Sequence, residues 1–188
     1  KFDGEIVAEE NFTADDTDFS AILTRIKDLD FDFIFLPGYY NQAGLIIKQA
    51  REMGITQPIL GADGFGNEAL LELAGVDNVD DVYYSAHYSP NSEDAQVKEF
   101  IAAYKAEYDV EPDMFAALAY DTVYLVAQAI EAADDTTPKA LTKALEDITE
   151  FDGVTGTFSF DENHNPVKST LVIELQDGVE VGNTEVTP

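Results

Sequence analysis

Two stretches decide the reading of this chain: FDFIFLPGYYN (31–41) and PILGADG (58–64). Each is a short apolar run that stops at a turn containing glycine. Between them Asn41 can cap a helix whose Ala43, Ile46, Ile47, Ala50 and Met53 share one face, with Gly54 closing it. A strand, a helix and a second strand at this spacing predict a βαβ unit and a parallel sheet. In such sheets ligands bind beyond the carboxyl ends of the strands. The residues after the two runs, Tyr39 and Asp63, therefore project to one sheet edge.

The pattern extends in both directions. Upstream, Glu5–Glu10 alternates as a strand, and Asp16–Thr17–Asp18 offers caps for a helix carrying Phe19, Ile22, Leu23 and Ile26. The run Phe31–Leu36 reads as a buried strand. Downstream come a short helix around Asn67–Ala74, a strand over Val82–Ala86, and a Ser92-capped helix with Val97, Phe100, Ile101 and Tyr104. After Glu111–Pro112–Asp113 the pattern changes. Met114–Ala133 is a long helix, apolar on most of its surface and so expected to be buried, with Tyr120, Tyr124 and Leu125 in the core. Thr137–Pro138 starts another helix. Val154–Phe160 and Ser169–Leu175 alternate as strands about a turn at Asp161–Pro166.

Composition narrows the function classes. Hydrophobic residues make up 45% of the 188, enough for a packed core. With 38 acidic and 10 basic residues the formal net charge is −28, which repels phosphate backbones and anionic lipid, so nucleic-acid partners are not expected. There is no cysteine, hence no disulfide, thiolate metal site or cysteine nucleophile. No apolar run is long enough to span a bilayer. Lys1 opens on a polar segment without a leader pattern.

Chemistry-bearing motifs are few. DENHNP (161–166) starts like a calcium loop, but Pro166 stands where glycine is needed and Val172 where a bidentate glutamate belongs. His87 and His164 are far apart in sequence and lack a metal-binding pattern. No nucleophile elbow occurs. From spacing alone, Asp63 reads first as a turn residue before Gly64 and Tyr39 as a loop aromatic. The competing reading is a carboxylate and a ring on one rim, suited to a ligand ammonium and its apolar side chain.

The stretches PGYYNQAGLIIKQAREMGI, PILGADGFGNEALLELAG, FAALAYDTVYLVAQAIEAA and FDGVTGTFSFDENHNP together resemble the leucine/isoleucine/valine-binding protein family. The resemblance implies an α/β fold: a parallel-sheet sandwich lobe of a type I periplasmic binding protein, truncated at its N-terminus. It implies residues 1–112 as second-lobe material lacking its first βα unit, 113–167 as a segment of the first lobe, and 168–188 as a return strand and tail. It implies a non-enzymatic, extracytoplasmic protein, periplasmic or lipid-anchored. This would be the solute-binding component of an ABC importer, docking on the transporter's membrane subunits and closing two lobes on a small, branched-chain amino acid. A sensing receptor of the same fold is the alternative. By position Asp63 would accept from the ligand ammonium, Tyr39 would line the cleft, and Phe115 would flank the ligand's side chain. No cofactor is implied. An exposed Met114–Ala133 helix would invite a homodimer or element exchange.

Overall fold

The computed structural model describes residues 4–188; Lys1–Asp3, included in the expected second-lobe segment, lie outside the described residues. The described residues pack as two compact units, 4–85 with Val172–Asn183, and Ala86–Leu171 with Thr184–Pro188.

In the first unit, helix α1 (Ser20–Ile26) buries Phe19 and Leu23, and the Asp18 carboxylate accepts from the Ser20 amide at 2.9 Å. Strand β1 (Ile34–Leu36) leads to helix α2 (Tyr40–Glu52), which buries the expected face of Ala43, Ile46, Ile47 and Ala50. Strand β2 (Ile59–Gly61), helix α3 (Ala69–Ala74) and strand β3 (Val82–Ala86) follow. Strands β1, β2 and β3 are parallel, in register Ile34↔Ile59↔Val82 and Leu36↔Gly61↔Tyr84. This is the βαβ arrangement predicted from the sequence. Two late strands, β7 (Thr170–Gln176) and β8 (Val179–Val186), complete a five-stranded sheet of order β1-β2-β3-β7-β8. Asp177 and Gly178, both at positive φ (51° and 70°), make the two-residue turn between them.

The second unit contains helices α4 (Ala95–Tyr108), α5 (Met114–Ala132) and α6 (Pro138–Glu146). A three-stranded antiparallel sheet follows, formed by β4 (Phe151–Gly153), β5 (Gly156–Phe160) and β6 (Pro166–Lys168). Thr137 caps α6 by accepting from the Ala140 amide, with Pro138 in the first turn, as expected. Ala129, Ala144, Ile148 and Phe151 form this unit's core.

Several expectations are corrected. Glu5–Glu10 is irregular backbone with no strand pairing, mostly exposed. Strand β1 is three residues, not six: Ile34 donates to the Pro58 carbonyl at 2.9 Å, and Pro58 has no N–H to extend the ladder upstream. It is also an edge strand, so Phe35 is 64% exposed rather than buried. Helix α4 is capped by Asp94, which accepts from the Gln96 and Val97 amides; Ser92 instead holds the Asp94 amide. The side chain before α2 makes no cap, and Asn41 lies inside the helix. The largest departure is α5. Tyr120, Val123, Tyr124, Val126 and Ile130 are exposed, so Tyr120 and Tyr124 are not core, whereas Leu125 does pack on it. Of the expected strand Val154–Phe160, Gly156–Phe160 is the second arm of a tight β4–β5 hairpin, Val154 and Thr155 lie in its turn, and β6 and β8 were not foreseen.

Candidate functional site

The parallel register places Leu36, Gly61 and Tyr84 side by side at the carboxyl ends of three neighbouring strands. The chain leaves β1 through Pro37–Gly38–Tyr39 and enters α2. It leaves β2 through Ala62 into a single tight turn, Asp63–Phe65. Both segments must therefore leave from one edge, and two glycines let them meet. A Cβ on Gly64 would fall on the Gly38 carbonyl oxygen and lie 3.1 Å from the Tyr39 Cα. The backbone of the Asp63 turn thus rests directly on the backbone of the Tyr39 loop. A Cβ on Gly61 would meet the Phe65 ring, which is buried and folded back over the strand end. Phe65 in turn lies 6.1 Å from the Tyr84 ring, centroid to centroid.

On this base Asp63 and Tyr39 are both exposed, Tyr39 at 63%. Asp63 makes no side-chain hydrogen bond or ion pair among the described residues, and the turn it opens has no side-chain cap. Its backbone carbonyl closes the turn by accepting from the Gly66 amide at 3.1 Å. An aspartate held in a turn that does not use its carboxylate leaves that carboxylate open to a donor from outside. Burial, with a smaller contribution from the Glu180 carboxylate, pushes the Tyr84 hydroxyl up to about 12.

Phe115 belongs to the other unit, at the start of α5, where Asp113 caps the helix by accepting from the Ala116 amide at 2.7 Å. It is half-buried. Asp161, considered and rejected as a metal residue, spends its carboxylate on the Asn163 and Asn165 amides of the β5–β6 turn, with His164 at φ 65°. Among the described residues no group of three His, Asp or Glu side chains could hold a metal ion, and no helix is long and apolar enough to cross a membrane.

One polar centre escaped sequence reasoning. Asp121, on the apolar helix α5, is only 4% exposed. Its carboxylate accepts from the amides of Val154 (2.9 Å) and Thr155 (2.8 Å) and from the Thr155 hydroxyl (2.6 Å). Gly153 is required beside it, because a Cβ there would strike the carboxylate. An aspartate inside an apolar helical run, matched by a later Gly–Val–Thr–Gly turn, was the available signal.

The residues of this sheet edge and of the β4–β5 hairpin fall inside a match to the periplasmic binding protein family that runs over residues 1–180. The chain belongs to that family. Among curated relatives, a leucine-, isoleucine-, valine-, threonine- and alanine-binding protein of Pseudomonas aeruginosa is 28% identical over 158 residues, covering 84% of this chain and 42% of the relative. Among solved structures, the branched-chain amino acid transporter substrate binding protein LivJ of Streptococcus pneumoniae, in complex with isoleucine, superposes with TM-score 0.88. It is 44% identical, and the match covers all of this chain and 53% of LivJ. The leucine binding protein LivK of Thermotoga maritima gives TM-score 0.84 at 31% identity, covering 94% of this chain and 51% of LivK. The chain therefore spans about half the length of the family members it matches. The family and fold implied by the sequence motifs are those found.

Proposed function

We propose that the edge carrying Asp63 and Tyr39 is the part of an amino-acid site contributed by this chain, within the solute-binding component of an ABC importer. The observation that carries the reading is the backbone contact between the two loops. It supports the reading by bringing the backbone next to Asp63, whose carboxylate has no hydrogen bond or ion pair among the described residues, against the backbone of the exposed Tyr39. An amino acid brings an ammonium that needs an anionic acceptor once water is excluded, because an unpaired buried charge is costly. Asp63 is that acceptor, and Tyr39 offers apolar ring surface and a cation-attracting face. For the ligand's apolar side chain the proposed residue is Phe115, on the family resemblance alone. The names of the relatives, which bind leucine, isoleucine, valine and similar residues, support a small aliphatic amino acid.

The same reading gives the protein no catalytic step. It places the protein outside the cytoplasm, periplasmic or lipid-anchored, and makes the transporter's membrane subunits its partner. It keeps the lobe assignment of 1–112, 113–167 and 168–188, although packing changes at Ser85/Ala86 and Leu171/Val172. The exposed face of α5 is the surface by which copies of this chain would self-associate. Light scattering across a concentration series is expected to show a dimer, and a monomer throughout would remove that element.

The deciding experiment for the site is a calorimetric titration with isoleucine, carried to high ligand concentration. Asp63→Ala is expected to weaken binding by about 2 kcal/mol, from loss of a charged hydrogen-bond partner. Unchanged affinity would take Asp63 out of the site.

A further inference from the structure

The second unit contains a groove of about 460 Å³, bordered by the β4–β5 hairpin, the start of α4 and the end of β6. Lys168, one of only 10 basic residues in the chain, lines it. The Lys168 ammonium donates to the Thr155 hydroxyl at 2.9 Å and sits 5.1 Å from the centre of the Phe158 ring. Among the described residues it makes no ion pair. A lysine ammonium has three N–H donors, and here one is used inside the protein. The buried Asp121 carboxylate, whose charge favours the ammonium, already accepts from the Val154 and Thr155 amides and the Thr155 hydroxyl, and that hydroxyl bridges it to Lys168. Burial holds the Lys168 ammonium below its ordinary range, as expected for a cation taken partly out of water.

Of the 38 Asp and Glu side chains in the chain, none forms an ion pair with this half-buried cation among the described residues. The rim is acidic: Asp94, Asp152 and Glu185. Asp94 and Asp152 accept bonds from Gln96 and Thr157, and their charge repels a dianion such as sulfate. A molecule with one carboxylate, or a carboxylate beside an ammonium, meets Lys168 within and the acidic rim without.

We propose that this groove is a second binding site, separate from the Asp63 edge, for a small carboxylate-bearing molecule whose carboxylate sits on Lys168. The wall holding the lysine is rigid, because Asp121 ties the hairpin turn to α5 and the turn's Thr155 in turn fixes the ammonium.

The test is an amide-resonance titration of the full chain with acetate, alanine and sulfate in turn. Acetate and alanine are expected to shift residues 153–157 and 167–169, and sulfate is expected to bind about tenfold more weakly. Lys168→Met should remove the acetate response by about tenfold or more, and Lys168→Arg, which keeps the charge, should retain most of it. Asp63→Ala should leave the acetate response untouched, so failure here is distinguishable from failure of the Asp63 reading. Shifts absent from 153–157 and 167–169, a stronger response to sulfate, or an acetate response that survives Lys168→Met in a chain with unchanged dispersion would each overturn the proposal.

Discussion

Helices α2 and α5 bury different things for different reasons. Helix α2 is the more polar, with Asn41, Gln42, Lys48, Gln49, Arg51 and Glu52 among its residues, yet it buries a continuous apolar face. Its polar side chains also act: Gln49 accepts from the Phe19 amide and donates to the Thr17 carbonyl, and Arg51 donates to the carbonyls of Ile55, Gln57 and Asp80. Helix α5 is apolar nearly all round, yet Tyr120, Val123, Tyr124, Val126 and Ile130 are exposed along with the polar Thr122, Gln128 and Glu131, and the charged residue on its buried side is Asp121. Periodicity locates a buried face only where polar residues mark the opposite one. Where polar residues are few and mixed with apolar ones, as Thr122, Gln128 and Glu131 are on the exposed side of α5, apolar content says that a helix could be covered on every side, not that it is.

Removing the buried carboxylate should test that contrast most severely. Asp121→Ala leaves the Val154 and Thr155 amides without acceptors in a buried site and should destabilise the second unit by about 3 kcal/mol or more, read by urea unfolding. A change below about 1 kcal/mol would mean that the hairpin does not depend on α5. Ile47→Ala on α2 should cost about 3 kcal/mol, because Ile47 is fully enclosed. Gly64→Ala should cost about 2 kcal/mol by forcing a methyl onto the Gly38 carbonyl, and should weaken isoleucine binding as the loops separate.

The pH response separates the regions more finely. Burial pushes the hydroxyls of Tyr84 and Tyr88 up from 10.0 to about 12. The unfolded chain releases these protons first, so stability is intact below pH 10 and falls as pH rises from about 10 to 12. Tyr84→Phe should remove part of that loss, seen as a flatter unfolding midpoint across this range. The smallest effect belongs to Ile130→Ala on the exposed face of α5, expected within about 0.5 kcal/mol. In dilute protein, where copies of the chain are apart, a loss as large as that of Ile47→Ala would contradict that exposure, whereas a loss that grows with protein concentration is the mark of the proposed self-association.

The sequence was most readable where chemistry is local. The parallel unit followed from two apolar runs ending in glycine turns, and the Asp161–Pro166 turn from its Asx residues, which do bond the Asn163 and Asn165 amides. Asp63 and Tyr39 could be put on one edge because strand ends in a parallel sheet point one way. What could not be read was tertiary. Nothing local tells that Gly64 lies on Gly38, that Asp94 displaces Ser92 as a cap, or that Asp121 reaches 33 residues ahead to Val154. β8 carries few large apolar residues, and its place in the sheet rests on a two-residue turn that the pattern alone left as a tail.

The most direct measurement is a crystal structure of the chain soaked with isoleucine. The account predicts the ligand ammonium within about 3 Å of an Asp63 carboxylate oxygen, with the Tyr39 ring against the ligand. Isoleucine bound with its ammonium on another group, and Asp63 turned to solvent, would contradict it.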